Sequence, residues 1–167
     1  MAVREVLRYP HPALKAVAEP AGDPAEIARV AGDLIDTMRA TTYTTGVAAT
    51  QLGELTRVVA VDVTGHKRTK TCHGEFVLVN PVVVTQSEAT KVGREGCLSL
   101  PDLTANVRRP VSVVVEGADA GGRATRIETD GFEARCLLHE IDHLDGILFL
   151  DRVDSLTSDV FRRKSYG

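Results

Sequence analysis

Apolar positions in the first third of the chain recur at helical spacing: Ile27, Val30, Ala31, Leu34, Ile35 and Met38 fall on one face of a 3.6-residue repeat. Asp23-Pro24-Ala25-Glu26 ahead of them has the order of an N-cap, a first-turn proline and a capping-box acid, so an amphipathic helix starts there. Threonines and a glycine lower helical propensity over Thr41 to Gly46, where the helix should give way to a loop. The pattern then changes to β-branched and apolar runs at Arg57 to Val63, Phe76 to Thr85 and Val111 to Glu116, which predict strands. Gly121-Gly122 separates the last of these from Arg123 to Glu128 and predicts a hairpin, so at least part of the sheet is antiparallel. A second helix is expected over Gly131 to Leu144, with Phe132, Leu137, Leu138, Ile141 and Leu144 as its apolar surface and Gly146 as its stop. Strands with two segregated helices describe an α+β domain.

Length and composition narrow this further. A chain of 167 residues with 43% hydrophobic content fits one domain, 1–167, with a buried core. The formal net charge of -3 gives no general basic field of the kind that nucleic acid requires. Charges interrupt any apolar run in Met1 to Arg8, so neither a secretory signal nor a membrane anchor is expected there. Three cysteines without framework spacing favour a reducing compartment, and a cytoplasmic location is expected.

The most constraining stretch is His139-Glu140-Ile141-Asp142-His143. Residues four apart share a helix face, so both imidazoles can reach one metal ion while Glu140 stands beside them, offset by about 100° and better placed to move protons. Catalytic sites of this kind use three protein ligands and keep one position for water. The third could come from Cys72, Cys97 or Cys136, or from His11, His66 or His73. Cys97 stands out because it lies in Gly93-Arg94-Glu95-Gly96-Cys97-Leu98-Ser99-Leu100-Pro101, a strand edge or turn with accessible backbone. Cys136 is on the ligand side of the helix and could be an alternative ligand, but crowding makes it a better pocket wall or simple core residue. Cys72-His73 lacks ligand spacing and reads as loop. Arg162-Arg163-Lys164 reads as a solvated tail, with ribosomal RNA as the other possible contact.

Three segments, Gly46-Val47-Ala48-Ala49-Thr50-Gln51, Glu95-Gly96-Cys97-Leu98-Ser99 and His139 to Gly146, occur in an order that resembles the peptide deformylase family, and the likeness runs from Val6 to Asp151. That resemblance implies a mixed or antiparallel sheet packed around a central helix carrying the two histidines. It implies removal of the formyl group from formylmethionyl nascent peptides, with Cys97, His139 and His143 as metal ligands and Glu140 as general base and then general acid. It assigns oxyanion stabilisation to the Gln51 side chain and the Leu98 N–H, and the methionine pocket to Cys136. It further implies ferrous iron in many members and zinc in others; the same ligands accept nickel or cobalt. The substrate is expected to lie as an added strand against Thr45-Gly46 and Gly96. One departure is Thr44, where the family usually has the first glycine of its opening motif. Two other readings stay open on the residues: a zinc endopeptidase, and a weakly catalytic protein that binds acylated N-termini.

Overall fold

The structure is a computed structural model that describes residues 2–164; the outermost residues of the expected 1–167 domain lie outside these. Among the described residues, eight strands and two α-helices follow one another as α1 (Pro24–Ala40), β1 (Gly46–Ala48), β2 (Val58–Val61), β3 (Phe76–Gln86), β4 (Thr90–Cys97), β5 (Leu100–Pro110), β6 (Ser112–Ala118), β7 (Ala124–Asp130), α2 (Gly131–Leu144) and β8 (Val160–Arg162). The fold is α+β, and every pairing between these strands is antiparallel. The sequence suggested one sheet; two are present, a five-stranded sheet in the order β1-β2-β3-β6-β7 and a three-stranded sheet in the order β4-β5-β8.

Alternation along β2 shows how the large sheet separates two layers. Val59 and Val61 pack with Leu137, Leu138, Ile141 and Leu144 of α2, whereas Val58 and Ala60 pack with Val30, Leu34 and Met38 of α1. Successive side chains on a strand point to opposite faces, so four consecutive apolar residues are needed where both faces are covered. α1 begins where Asp23 Oδ1 accepts from the Ala25 N–H, with Pro24 in its first turn, and ends at Ala40.

The small sheet has its own apolar cluster, in which Cys97, Leu100, Ala105 and Val107 meet Leu14, Leu148 and Phe149. A buried ionic cluster joins this sheet to α2. Arg109 of β5 donates to both Glu95 oxygens at 2.7 and 3.0 Å and to Asp142 Oδ2 at 2.9 Å, and Arg135 of α2 donates to Glu95 Oε2 at 2.8 Å. Asp142 also accepts two bonds from Arg152. Guanidinium forks matched to carboxylates satisfy charges that would otherwise be costly to bury.

Candidate active site

Three elements deliver the chemistry-bearing side chains to one cavity of about 660 Å³: the segment Thr41–Gln51, the end of β4 with the turn after it, and α2. Cys97 Sγ lies 3.3 Å from His143 Nε2, and the donor atoms of Cys97, His139 and His143 all fall within 4.8 Å of one another. His139 and His143 are one helical turn apart, with ring centroids 5.1 Å apart. Cys97 reaches them because the β4–β5 register shifts between Gly96 and Cys97, closing the hairpin tightly through Leu98 and Ser99.

The surroundings suit a metal ion. Glu95 Oε1 engages His139 Nδ1 at 2.8 Å, which leaves Nε2 for the site and fixes the ring, as carboxylates behind ligand histidines do. Burial opposes charge on Glu95, yet bonds from His139 and Arg109 outweigh it and hold the carboxyl far below its ordinary range. Burial likewise opposes a proton on His139, but Cys97 and Glu95 raise its affinity for positive charge well above the usual histidine value. His143 moves the opposite way: burial first, then His139 and Arg109, keep it neutral. A soft thiol beside two imidazoles is a donor set that fits a divalent transition metal. Among the described residues, this is the group able to hold one.

Glu140 stands on the same helix, 3% exposed and lining the cavity. Burial is the main reason its carboxyl is pushed up to about 7; Glu95 adds to the rise and His139 opposes it. Gly46 of β1 makes room for it, because a Cβ at that position would lie 2.9 Å from both Glu140 Cγ and Oε2.

Gln51 is 1% exposed and its amide is oriented by bonds at both ends. The Ala48 N–H donates to Oε1 at 2.9 Å, which turns Nε2 towards Ser99 Oγ at 3.1 Å and Cys97 Sγ at 3.6 Å. Its donor therefore faces the Cys97 sulfur. Leu98 lines the cavity from the turn between β4 and β5, and Thr45, Gly46 and Gly96 line it as well. Cys136 lies outside the metal-competent group; its Sγ is 3.3 Å from Thr45 Oγ1, and burial pushes its thiol up to about 12. Thr44 also borders the cavity, with its Oγ1 buried and lacking a partner among the described residues.

Other positions resolve differently. Cys72 is exposed, and His73 is drawn away to a contact between its Nδ1 and Glu133. Arg163 does not behave as part of a solvated tail: its N–H donates to the Asp102 carbonyl, and its guanidinium lies over Gly96 at the cavity wall. The sequence reading missed the positioning of His139 by Glu95, the neutralisation of Glu95 by Arg109 and Arg135, and the cavity contributions of Arg68 and Arg94. The acid two residues before Cys97 was the available signal, since a strand places both on the same face.

Comparison with known proteins agrees with this geometry. The polypeptide deformylase family model matches residues 3–159. A peptide deformylase of Thermodesulfovibrio yellowstonii is 41% identical over 98% of this chain and 97% of its own, and peptide deformylase 2 of Vibrio cholerae is 40% identical over 98% and 94%. Among solved structures, the Ehrlichia chaffeensis peptide deformylase in complex with actinonin superposes with a TM-score of 0.86 at 30% identity, covering 94% of this chain and 92% of that one. The Acinetobacter baumannii peptide deformylase bound to Met-Ala-Ser gives 0.83 at 30% identity, covering 91% and 100%. With sequence and backbone in agreement along nearly its whole length, the chain belongs to the polypeptide deformylase family.

Proposed function

We propose that this protein, as a single catalytic domain over residues 1–167, hydrolyses the N-formyl group of formylmethionyl nascent peptides to release formate and a free amino terminus. The observation that carries this reading is the convergence of Cys97, His139 and His143 with a buried carboxylic acid and an oriented amide donor at one cavity. Cys97, His139 and His143 would hold the ion. Ferrous iron is the proposed native metal, and zinc, nickel and cobalt are compatible with the same donors. A divalent ion there would supply the positive charge that acidifies water and polarises a carbonyl oxygen.

The remaining steps belong to the chain's own side chains. Glu140 accepts a proton from the attacking water and returns it to the departing nitrogen; burial pushes its carboxyl up, which favours taking up that proton. Oxygen adds to the formyl carbon, the carbon–nitrogen bond breaks, and the products are formate and the amine. Gln51 Nε2 and the Leu98 N–H donate to the oxygen that gains negative charge, and a neutral amide does so without competing for the ion. Thr45, Gly46 and Gly96 offer backbone to an extended peptide, which suits an enzyme that must accept many sequences. Cys136, with its thiol kept uncharged, presents a small apolar surface to the methionine side chain.

The location proposed is bacterial cytoplasm, where such peptides are made; among the described residues no helix is long and apolar enough to cross a membrane. Formate release from formyl-Met-Ala-Ser by anaerobically purified, metal-loaded protein tests the reading. Release at a rate that scales with metal content is expected. Cleavage of internal bonds in an unformylated peptide would replace it with an endopeptidase, and tight binding without formate release would replace it with a binding protein.

A further inference from the structure

β4 is an edge strand of its sheet, but part of that edge is already occupied by arginines. Arg135 Nη2 donates to the Lys91 carbonyl at 2.8 Å, and Arg68 Nη1 donates to the Arg94 carbonyl at 2.9 Å. An incoming peptide strand is left the stretch from Glu95 to Leu98. A chain that starts beside Cys97 and runs back along β4 travels roughly 10 Å over three residues before it meets Arg68 and Arg94.

Both guanidinium groups border the cavity, and both are held in place by uncharged partners. Arg68 lies over the Phe132 ring, 4.7 Å from its centroid, and Phe132 is itself stacked on His66 with centroids 4.2 Å apart. Arg94 donates to Asn106 Oδ1 at 3.0 Å and Thr104 Oγ1 at 3.3 Å, with its Cζ 4.0 Å from the Phe161 centroid. Among the described residues, no carboxylate lies within ion-pair distance of either. Arg135 differs, since it is paired with Glu95. The cavity mouth thus presents two oriented and unneutralised positive charges, although the chain as a whole has a formal net charge of -3. Pre-ordered cations of this kind lose little side-chain freedom when a carboxylate arrives.

We propose that Arg68 and Arg94 are specificity-determining residues that favour formylmethionyl peptides carrying an aspartate or glutamate within the two residues after methionine. This rests on the deformylase reading and deepens it by naming a substrate class. A carboxylate side chain on the extended peptide would accept from the free N–H groups of both guanidiniums, whereas a lysine at the same place would be repelled.

The test compares formyl-Met-X-Ser and formyl-Met-Ala-X, with X as Glu, Gln or Lys, on the metal-loaded enzyme at low salt. In at least one series kcat/KM for Glu should exceed that for Lys about tenfold, mainly through KM, and the ratio should shrink towards unity in about 0.5 M salt. The Arg68→Gln/Arg94→Gln double variant should reduce the ratio to within about twofold, and Arg68→Lys should preserve most of it. Equal kcat/KM for all three in both series, with formyl-Met-Ala-Ser still hydrolysed, overturns this proposal and leaves the deformylase reading standing. So does a preference for Glu that the double variant retains. Failure to hydrolyse any formylated peptide removes both.

Discussion

Replacing Gly46 with alanine would add one methyl group 2.9 Å from Glu140 Cγ and Oε2 and 3.1 Å from Cδ. Carbon and oxygen atoms in ordinary contact sit at about 3.5–4.0 Å, so the carboxylate must retreat by about 0.5–1 Å. Glu140 is 3% exposed and borders the cavity, so the retreat carries its carboxylate away from Gly46 and out of its position beside the metal-competent group. The backbone at residue 46 lies outside the left-handed region, so alanine itself fits there without strain. The perturbation therefore falls on the acid. Misplacing a catalytic group by about 1 Å can cost about 100-fold, which corresponds to about 2.7 kcal/mol in the barrier. Stability should change far less, because a glycine-to-alanine change in extended backbone recovers about 0.4–1 kcal/mol from the unfolded chain and offsets part of the crowding. Formate release from formyl-Met-Ala-Ser, with metal content and Tm measured on the same preparation, separates these effects. The expectation is a kcat about 100-fold lower at unchanged metal content, with Tm within a few degrees of the parent. A kcat within about threefold of the parent would refute the argument that Glu140 acts from a position set by the bare α-carbon of Gly46.

Arg109→Met leaves Glu95 and Asp142 without their buried fork, and stability by urea unfolding should fall by about 3–5 kcal/mol. Asp33 accepts from the Ala2 N–H and from Arg4, and although burial would raise its carboxyl, these bonds hold it below the ordinary value. A depressed carboxyl stabilises the fold above its unfolded value and loses that contribution as pH falls through the native one. Asp33→Asn should therefore cost about 1.5–3 kcal/mol at pH 7, with the gap to the parent closing as the pH falls below about 4. Thiol labelling of the native protein with iodoacetamide at pH 8, read by peptide mass spectrometry, should modify exposed Cys72 and spare Cys136, whose buried thiol is pushed up to about 12.

The sequence disclosed the elements whose patterns are local and strong. α1 starts at Pro24 and ends at Ala40 where capping and the threonine run indicated, the hairpin turns at Gly121-Gly122, and α2 spans Gly131–Leu144. β5 escaped notice, and β4 was marked only as a strand edge or turn around Cys97, for a physical reason. Their inward positions include Glu95 and Arg109, charged residues that break the expected apolar alternation yet are buried against each other. A period-two pattern cannot register a strand whose inner face is partly ionic. The division into two sheets was hidden for the same reason, because the ionic cluster replaces apolar surface where α2 meets β5. At the site, the helical histidines were legible from spacing alone. The aim of Gln51 was not, since it depends on a bond from Ala48 that turns a side chain no pattern can orient.

The donors around the candidate centre come from opposite sides of the division between the sheets. Cys97 belongs to the small sheet, whereas His139, Glu140 and His143 ride on a helix whose apolar face is buried against the large one. Any reactivity of the proposed centre would therefore belong to the docked pair and to neither half, so a partly folded chain would lack the proposed activity until the two meet.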